Sequence, residues 1–281
     1  MSTVPYPPQR QLSVGEVLDL SFRIYRVTLV RCLLFATCGV VAGELAGIYA
    51  LIKGGSAARA AGGFAAMLAQ LRDPTFVTLY IVGLALTLLF YAAVLLRQHN
   101  IITDGAGGAD LAAALRRLPA LIGLLVLVSV GLCLCFLPAI LAAGILRALL
   151  FIAAGIALCY AVVAVSCAQT ILLVDDEGPA SSLARSWRLT AGSFWRLSLI
   201  YSVALIILVA LYAVIGAVAG VLAAAFAHGD VAMVTAFAQV IGIILGALAT
   251  PFYAALALAV LADLKVRKEG TDLAQRISAP A

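Results

Sequence analysis

Charge is what this chain has least of. Only 11% of its 281 residues are Asp, Glu, Lys or Arg, against about a quarter in a soluble domain. That excludes an ordinary water-facing globular fold. Histidine is nearly missing, with two in all, His99 and His228. No His-Glu-x-x-His pattern exists, and metal-assisted hydrolysis needs several ligands converging. No catalytic residue, metal ligand or cofactor is therefore expected. A cleavable leader is also lacking: MSTVPYPPQRQL is polar and Pro-rich, and no small-residue cleavage site follows a short apolar run. The first span is expected to act as its own insertion signal. The six cysteines (Cys32, Cys38, Cys133, Cys135, Cys159, Cys167) all fall in apolar stretches. They read as small buried hydrophobes, because a Cys-x-Cys pair alone is a weak metal signal.

What is present is apolar surface. Hydrophobic residues make up 65% of the chain and its mean hydropathy is +1.16. The apolar runs exceed about 20 residues, enough to cross a hydrocarbon core about 30 Å thick. The expected fold is all-α, a polytopic bundle of six transmembrane helices with short amphipathic interfacial helices. The spans are expected at about 30–52, 75–96, 118–141, 147–174, 194–226 and 231–261, within a membrane domain over 13–270. Residues 1–12 and 271–281 read as tails. Pro251 is expected to kink the sixth span.

Three basic amphipathic stretches punctuate the runs. Before span one, Ser13 and Glu16 form a capping-box pattern. Val14, Val17, Leu20, Ile24 and Val27 then share one helical face, and Glu16, Asp19, Arg23 and Arg26 another. Asp19 precedes Arg23 by four, the favourable order for an ion pair. A helix lying on the membrane surface is the expectation, with a solvated extension of span one as the alternative. Before span three, Leu111, Leu115 and Leu118 share a side, next to Arg116 and Arg117. Before span five comes GPASSLARSWRLTAGSFWRL. There Leu183, Trp187, Thr190 and Phe194 share a face opposite Arg185 and Arg188, with Pro179 at a helix start and Gly192 at a break. Each stretch leads into an out-and-back pair of spans, a loose threefold repeat. A further small helix is predicted between spans one and two, from Phe64, Met67, Leu68 and Leu71.

Positive charge predicts orientation. With the N-terminus inside, only Lys53, Arg59, Arg72 and Arg147 of the eighteen Lys and Arg residues fall outside. The positive-inside rule then puts both termini in the cytoplasm, with Trp187 and Trp195 in the inner aromatic belt. The expected partners are anionic lipid headgroups at the cytoplasmic face, met by Arg23, Arg26, Arg116, Arg117, Arg185, Trp187, Arg188, Trp195 and Arg196. Nucleic acid is not among the expected partners.

Two polar features sit oddly in this setting. Glu44 is a carboxylate within span one, beside Gly39, Gly43 and Gly47 at four-residue steps. It is read as a structural clamp, with Arg147 as its expected partner; a coupling group in a transport path is the alternative. Asp175, Asp176 and Glu177 read as a solvated or arginine-paired run, with a cation site the lesser alternative. Gly216/Gly220 and Gly242/Gly246 repeat the small-residue spacing and are expected to pack the bundle internally, with Gln169 and Gln239 as further structural polar groups.

Three segments together carry a family resemblance: SVGEVLDLSFRIYR, LARSWRLTAGSFWRL and PFYAALALAVLADLKVRKEGTDL. With them the chain resembles the membrane domain associated with glycerophosphoryl diester phosphodiesterases and its stand-alone bacterial relatives. The resemblance implies a multi-pass bacterial inner-membrane protein concerned with envelope or lipid homeostasis. Some relatives carry a separate phosphodiesterase barrel; only Thr271–Ala281 follows the Asp263–Gly270 motif here, so a non-catalytic module is implied. A small transporter or channel passing Glu44 is the alternative function.

Overall fold

Ser13 starts the first helix. Its hydroxyl accepts from the Glu16 backbone N–H, and the Glu16 carboxylate accepts from the Ser13 N–H at 2.7 Å. That reciprocal pair satisfies two of the donors a helix start leaves open. The computed structural model describes residues 6–53, 70–103, 110–227 and 231–270. The small helix expected around Phe64–Leu71, the Gly-rich loop after Thr103, the turn near His228 and the C-terminal tail lie wholly or mainly outside them.

The described residues are helical, with no strand among them. They form α1 (Val14–Gly43), α2 (Leu45–Ile52), α3 (Pro74–Thr103), α4 (Asp110–Leu141), α5 (Gly144–Val165), α6 (Ala168–Val174), α7 (Pro179–Thr190), α8 (Phe194–Ala227) and α9 (Val231–Glu269). Six segments are long and apolar enough to cross a membrane: α1, α3, α4, α5 with α6, α8 and α9. The chain is a multi-pass, all-α membrane protein. Helix α9 is its axis, with 61% of its most apolar window buried against 11–33% for the other five. It packs on α1 and α8, and α1 packs on α3. Helix α4 joins α3 and pairs with α5.

Small residues let the central helices approach. An added Cβ on Gly83 of α3 would stand 2.4 Å from the Ala42 carbonyl oxygen of α1. On Gly39 and Gly43 it would meet Phe90 and Thr87, at 2.9 and 3.0 Å. The Thr87 hydroxyl then donates to the Gly39 carbonyl at 3.0 Å. Close backbone contact of this kind replaces the hydrophobic drive that lipid removes. Gly246 meets Val40 of α1, but Gly216, Gly220 and Gly242 face open space, so internal packing does not explain those three.

Two of the three amphipathic stretches are not separate helices. Residues 14–27 run straight into α1, and their apolar stripe, Val17, Leu20 and Ile24, is buried in the bundle rather than in an interface. Phe252 of α9 packs on Phe22 and Tyr25 and supplies part of that cover. The pairing expected between Asp19 and Arg23 does not form; both are exposed. Residues 110–118 likewise continue into α4, with Leu111 and Leu115 facing out and Ala114 buried. Helix α7 alone stands apart, started by Pro179 and ended before Gly192, whose φ of +77° suits glycine. Span four breaks between α5 and α6 at Ser166–Cys167, and α9 continues through Pro251.

Candidate functional site

The end of the bundle carrying both described chain ends gathers most of the charge. Asp263 of α9, 1% exposed, accepts from Arg196 of α8 at 2.6 Å, from Arg267 at 3.0 Å and from the Leu12 N–H at 2.8 Å. Arg196 donates on to the Leu12 carbonyl at 2.7 Å, and Arg267 bonds the same carbonyl. Three donors saturate the buried carboxylate, which makes its burial tolerable. This cluster also fixes residues read as part of a tail: Leu12 is bonded, Gln11 accepts from Arg267, and Tyr6 packs edge-on against His99.

A second cluster centres on Arg185 of α7. Its guanidinium pairs with Glu269 through two nitrogens at 2.9 and 2.8 Å, with Asp175 at 2.8 Å and with Glu177 at 2.6 Å. Lys265 adds a 2.6 Å pair with Asp175. The Glu269 bond, more than any other contact, raises the Arg185 pKa beyond its ordinary range. Arg117 of α4 pairs with Asp176 at 2.8 Å and donates to the Leu173 carbonyl. Each member of the acidic run is thus paired with an arginine, and Asp175 with Lys265 as well. Asp110, also 1% exposed, accepts from Asn100 at 2.6 Å with Arg97 at 3.9 Å, and Arg97 lies over the Phe35 ring.

These pairs divide the basic residues in two. Arg117, Arg185 and Arg196 bond to the protein. Arg23, Arg26, Arg31, Arg116 and Arg188 are exposed and make no ion pair or hydrogen bond among the described residues. Trp187, beside Arg188, and Trp195 are also exposed, at 47% and 84%. Trp187 meets Tyr160 edge-on, and Tyr160 stacks on Phe194, each at 5.4 Å between centroids.

The face of α7 that turns inward is polar. Ser182, Ser186, Leu189 and Thr190 are buried, whereas the sequence pattern placed Leu183, Trp187 and Thr190 together. The Ser186 hydroxyl donates to the Ala164 carbonyl at 2.7 Å, in the last turn of α5, where helices leave carbonyls open. Helix α7 therefore serves the break in span four.

That break borders a cavity of about 530 Å3 between α3, α4, α5 and α7. Leu124, Val128 and Leu132 of α4 and Leu158 and Ala161 of α5 line it. Ser166 and Gln169 add polar atoms at the break. Ser166 donates to the Val163 carbonyl at 2.8 Å, whereas the Gln169 side chain has no hydrogen bond among the described residues.

Elsewhere polar groups act as ties. Gln98 of α3, fully buried, donates to Thr28 of α1 at 3.0 Å and to the Pro251 carbonyl of α9 at 2.9 Å. At the opposite end Glu44 occupies the α1–α2 junction and accepts from Gln239 of α9 at 3.1 Å. Arg147 is not its partner; that guanidinium bonds the Ala142 and Ile140 carbonyls at 3.0 and 3.5 Å, beside its own turn. The carbonyls ending α4 lack intrahelical donors, and Arg147 supplies them. Lys53 pairs with Asp73 at 2.7 Å and closes the base of the first helix pair.

The sequence pattern did not single out Gln98 or the serines of α7, and Asp263, Lys265 and Glu269 stood there only within a motif. The usable signal was a lone carboxylate, Asp263, ending a buried alanine-rich run with Arg267 one turn on. No family model, curated protein or solved structure matches this chain.

Proposed function

We propose that this chain is a non-catalytic, lipid-engaging protein of a bacterial inner membrane, with both termini in the cytoplasm. The observation that carries the reading is the division of the arginines. Arg117, Arg185 and Arg196 bolt helices together, while Arg23, Arg26, Arg31, Arg116 and Arg188 stand exposed, as do Trp187 and Trp195. Exposed cations beside interfacial tryptophans suit an anionic leaflet, each worth about 1 kcal/mol near its surface. The resemblance to the glycerophosphoryl diester phosphodiesterase membrane domain supports the same reading and links it to envelope or lipid homeostasis.

The test replaces the five exposed arginines by Gln together. Wild-type protein, taken from vesicles of equal phosphatidylglycerol and phosphatidylcholine, is expected to carry phosphatidylglycerol in excess. The variant is expected to lose that excess while keeping its thermal stability. Equal enrichment in both would overturn the reading.

A transport path at Glu44 remains the second reading, favoured by the helix junction there and the Glu44–Gln239 contact. Glu44→Gln separates the two. It changes flux through reconstituted protein if Glu44 couples transport, and leaves lipid enrichment untouched if Glu44 is a clamp.

A further inference from the structure

We infer that the cavity between α3, α4, α5 and α7 holds one acyl chain of an anionic glycerophospholipid drawn from the leaflet at the charged end. The inference rests on the lipid-engaging reading above and adds a site and a stoichiometry to it. The first support is chemical. The lining is aliphatic apart from the break in span four, and its volume lies within the range of about 300–1,000 Å3 typical of small-molecule sites. An apolar space open to a membrane takes a hydrocarbon chain readily.

The second support is Gln169. Its carboxamide borders this apolar space with no partner among the described residues. In hydrocarbon an unsatisfied amide is costly, so the site calls for an acceptor. A lipid ester carbonyl is an acceptor that arrives attached to a chain.

The third support is vertical order. Arg117 bonds the Leu173 carbonyl, which fixes the level of α4 against α6. Gln169 lies four residues before Leu173, about 6 Å deeper at 1.5 Å per residue. Leu124, Val128 and Leu132 follow deeper along α4. Arg116, exposed and without a partner among the described residues, is next to Arg117 at the level where a phosphate would sit. Cation, amide and aliphatic wall thus succeed one another as phosphate, ester and chain do in a glycerophospholipid.

The test uses the full chain in nanodiscs of equal phosphatidylglycerol and phosphatidylcholine, released into a native mass spectrometer. One phosphatidylglycerol per chain is expected to survive conditions that strip the rest. A phosphatidylglycerol with a diazirine in its acyl chain is expected to mark α4 and α5, around Val128–Cys135 and Leu158–Ala161. Gly131→Trp fills the cavity from a position where an added Cβ meets nothing within 4 Å. It is expected to lower the retained lipid about tenfold, and Arg116→Gln to lower the preference for phosphatidylglycerol about fivefold. Unchanged retention in a folded Gly131→Trp protein would overturn the site. If that variant does not fold, the wild-type adduct map decides: marks spread over α1, α8 and α9 would overturn it. Retention of phosphatidylcholine as often as phosphatidylglycerol would overturn the anionic choice. Phosphatidylglycerol enrichment without a retained lipid defeats the cavity alone, whereas loss of all enrichment defeats the lipid-engaging reading as well.

Discussion

Helices α1, α3 and α9 and the α4–α5 pair are made of similar residues and are held in different ways. The central three meet through glycine contacts, the Gln98 tie and the Asp263 cluster. The α4–α5 pair is apolar, with Leu134, Ile145, Ile152 and Ile156 facing outward. It is anchored chiefly at one end, by Arg117 on Asp176 and by the α7 hydroxyls on Ala164. In a membrane, outward apolar surface costs nothing, so burial alone cannot fix helices; close backbones and polar bonds do. A region with few such bonds is free to leave a cavity.

Breaking that contrast should have its largest effect at Asp263. Asp263→Leu leaves Arg196 and Arg267 without a buried carboxylate and is expected to cost about 3–5 kcal/mol in a detergent unfolding titration. Next comes Gly83→Ala, whose new methyl must displace the Ala42 carbonyl; overpacking of this kind costs about 1–3 kcal/mol. Gly155→Ala on α5 meets nothing within 4 Å, so the same titration is expected to show no loss or a small gain. Equal losses at the two glycines would erase the distinction between the regions.

Gln98→Leu is a smaller test. It removes one tie to Thr28 and one to Pro251, and buried hydrogen bonds between membrane helices average about 0.6 kcal/mol. A loss near 1 kcal/mol is expected. The smallest effect concerns the far end. Hydrogen bonding from Lys53 lowers the Asp73 pKa. A carboxylate with a lowered folded pKa contributes stability above its unfolded pKa and loses it as pH falls through the folded value. Acid should therefore loosen the Lys53–Asp73 pair below about pH 4. Wild-type and Asp73→Asn proteins should converge in melting temperature there; parallel profiles would remove the pair from the account.

The number of spans and several helix starts were legible in the sequence. The Ser13–Glu16 box, Pro179 and Gly192 mark ends by local chemistry, and the local chemistry held. Whether residues 14–27 lay flat or ran on was not legible, because a 3.6-residue stripe is the same buried in α9 or in an interface. On α7 the apolar stripe marked the side that carries Trp187 but not the side turned to the bundle, which is the small and hydroxyl one, Ser182, Ser186 and Thr190. Nor could spacing tell a bolted arginine from a free one. Arg185 finds Glu269 at a separation of 84 residues, and Leu12 finds Asp263 at 251. Such partners are set by tertiary packing alone.

Arg185 and Arg188 bring the whole distinction onto one helix, three residues apart. One is clasped by three carboxylates and the other is exposed. The most direct measurement compares Arg185→Gln with Arg188→Gln in the same phosphatidylglycerol–phosphatidylcholine vesicles, reading melting temperature and retained lipid side by side. The expected result is a lowered melting temperature with lipid preference kept for Arg185→Gln, and the reverse for Arg188→Gln. Two variants alike in both readouts would contradict the division of bolting and lipid-facing arginines.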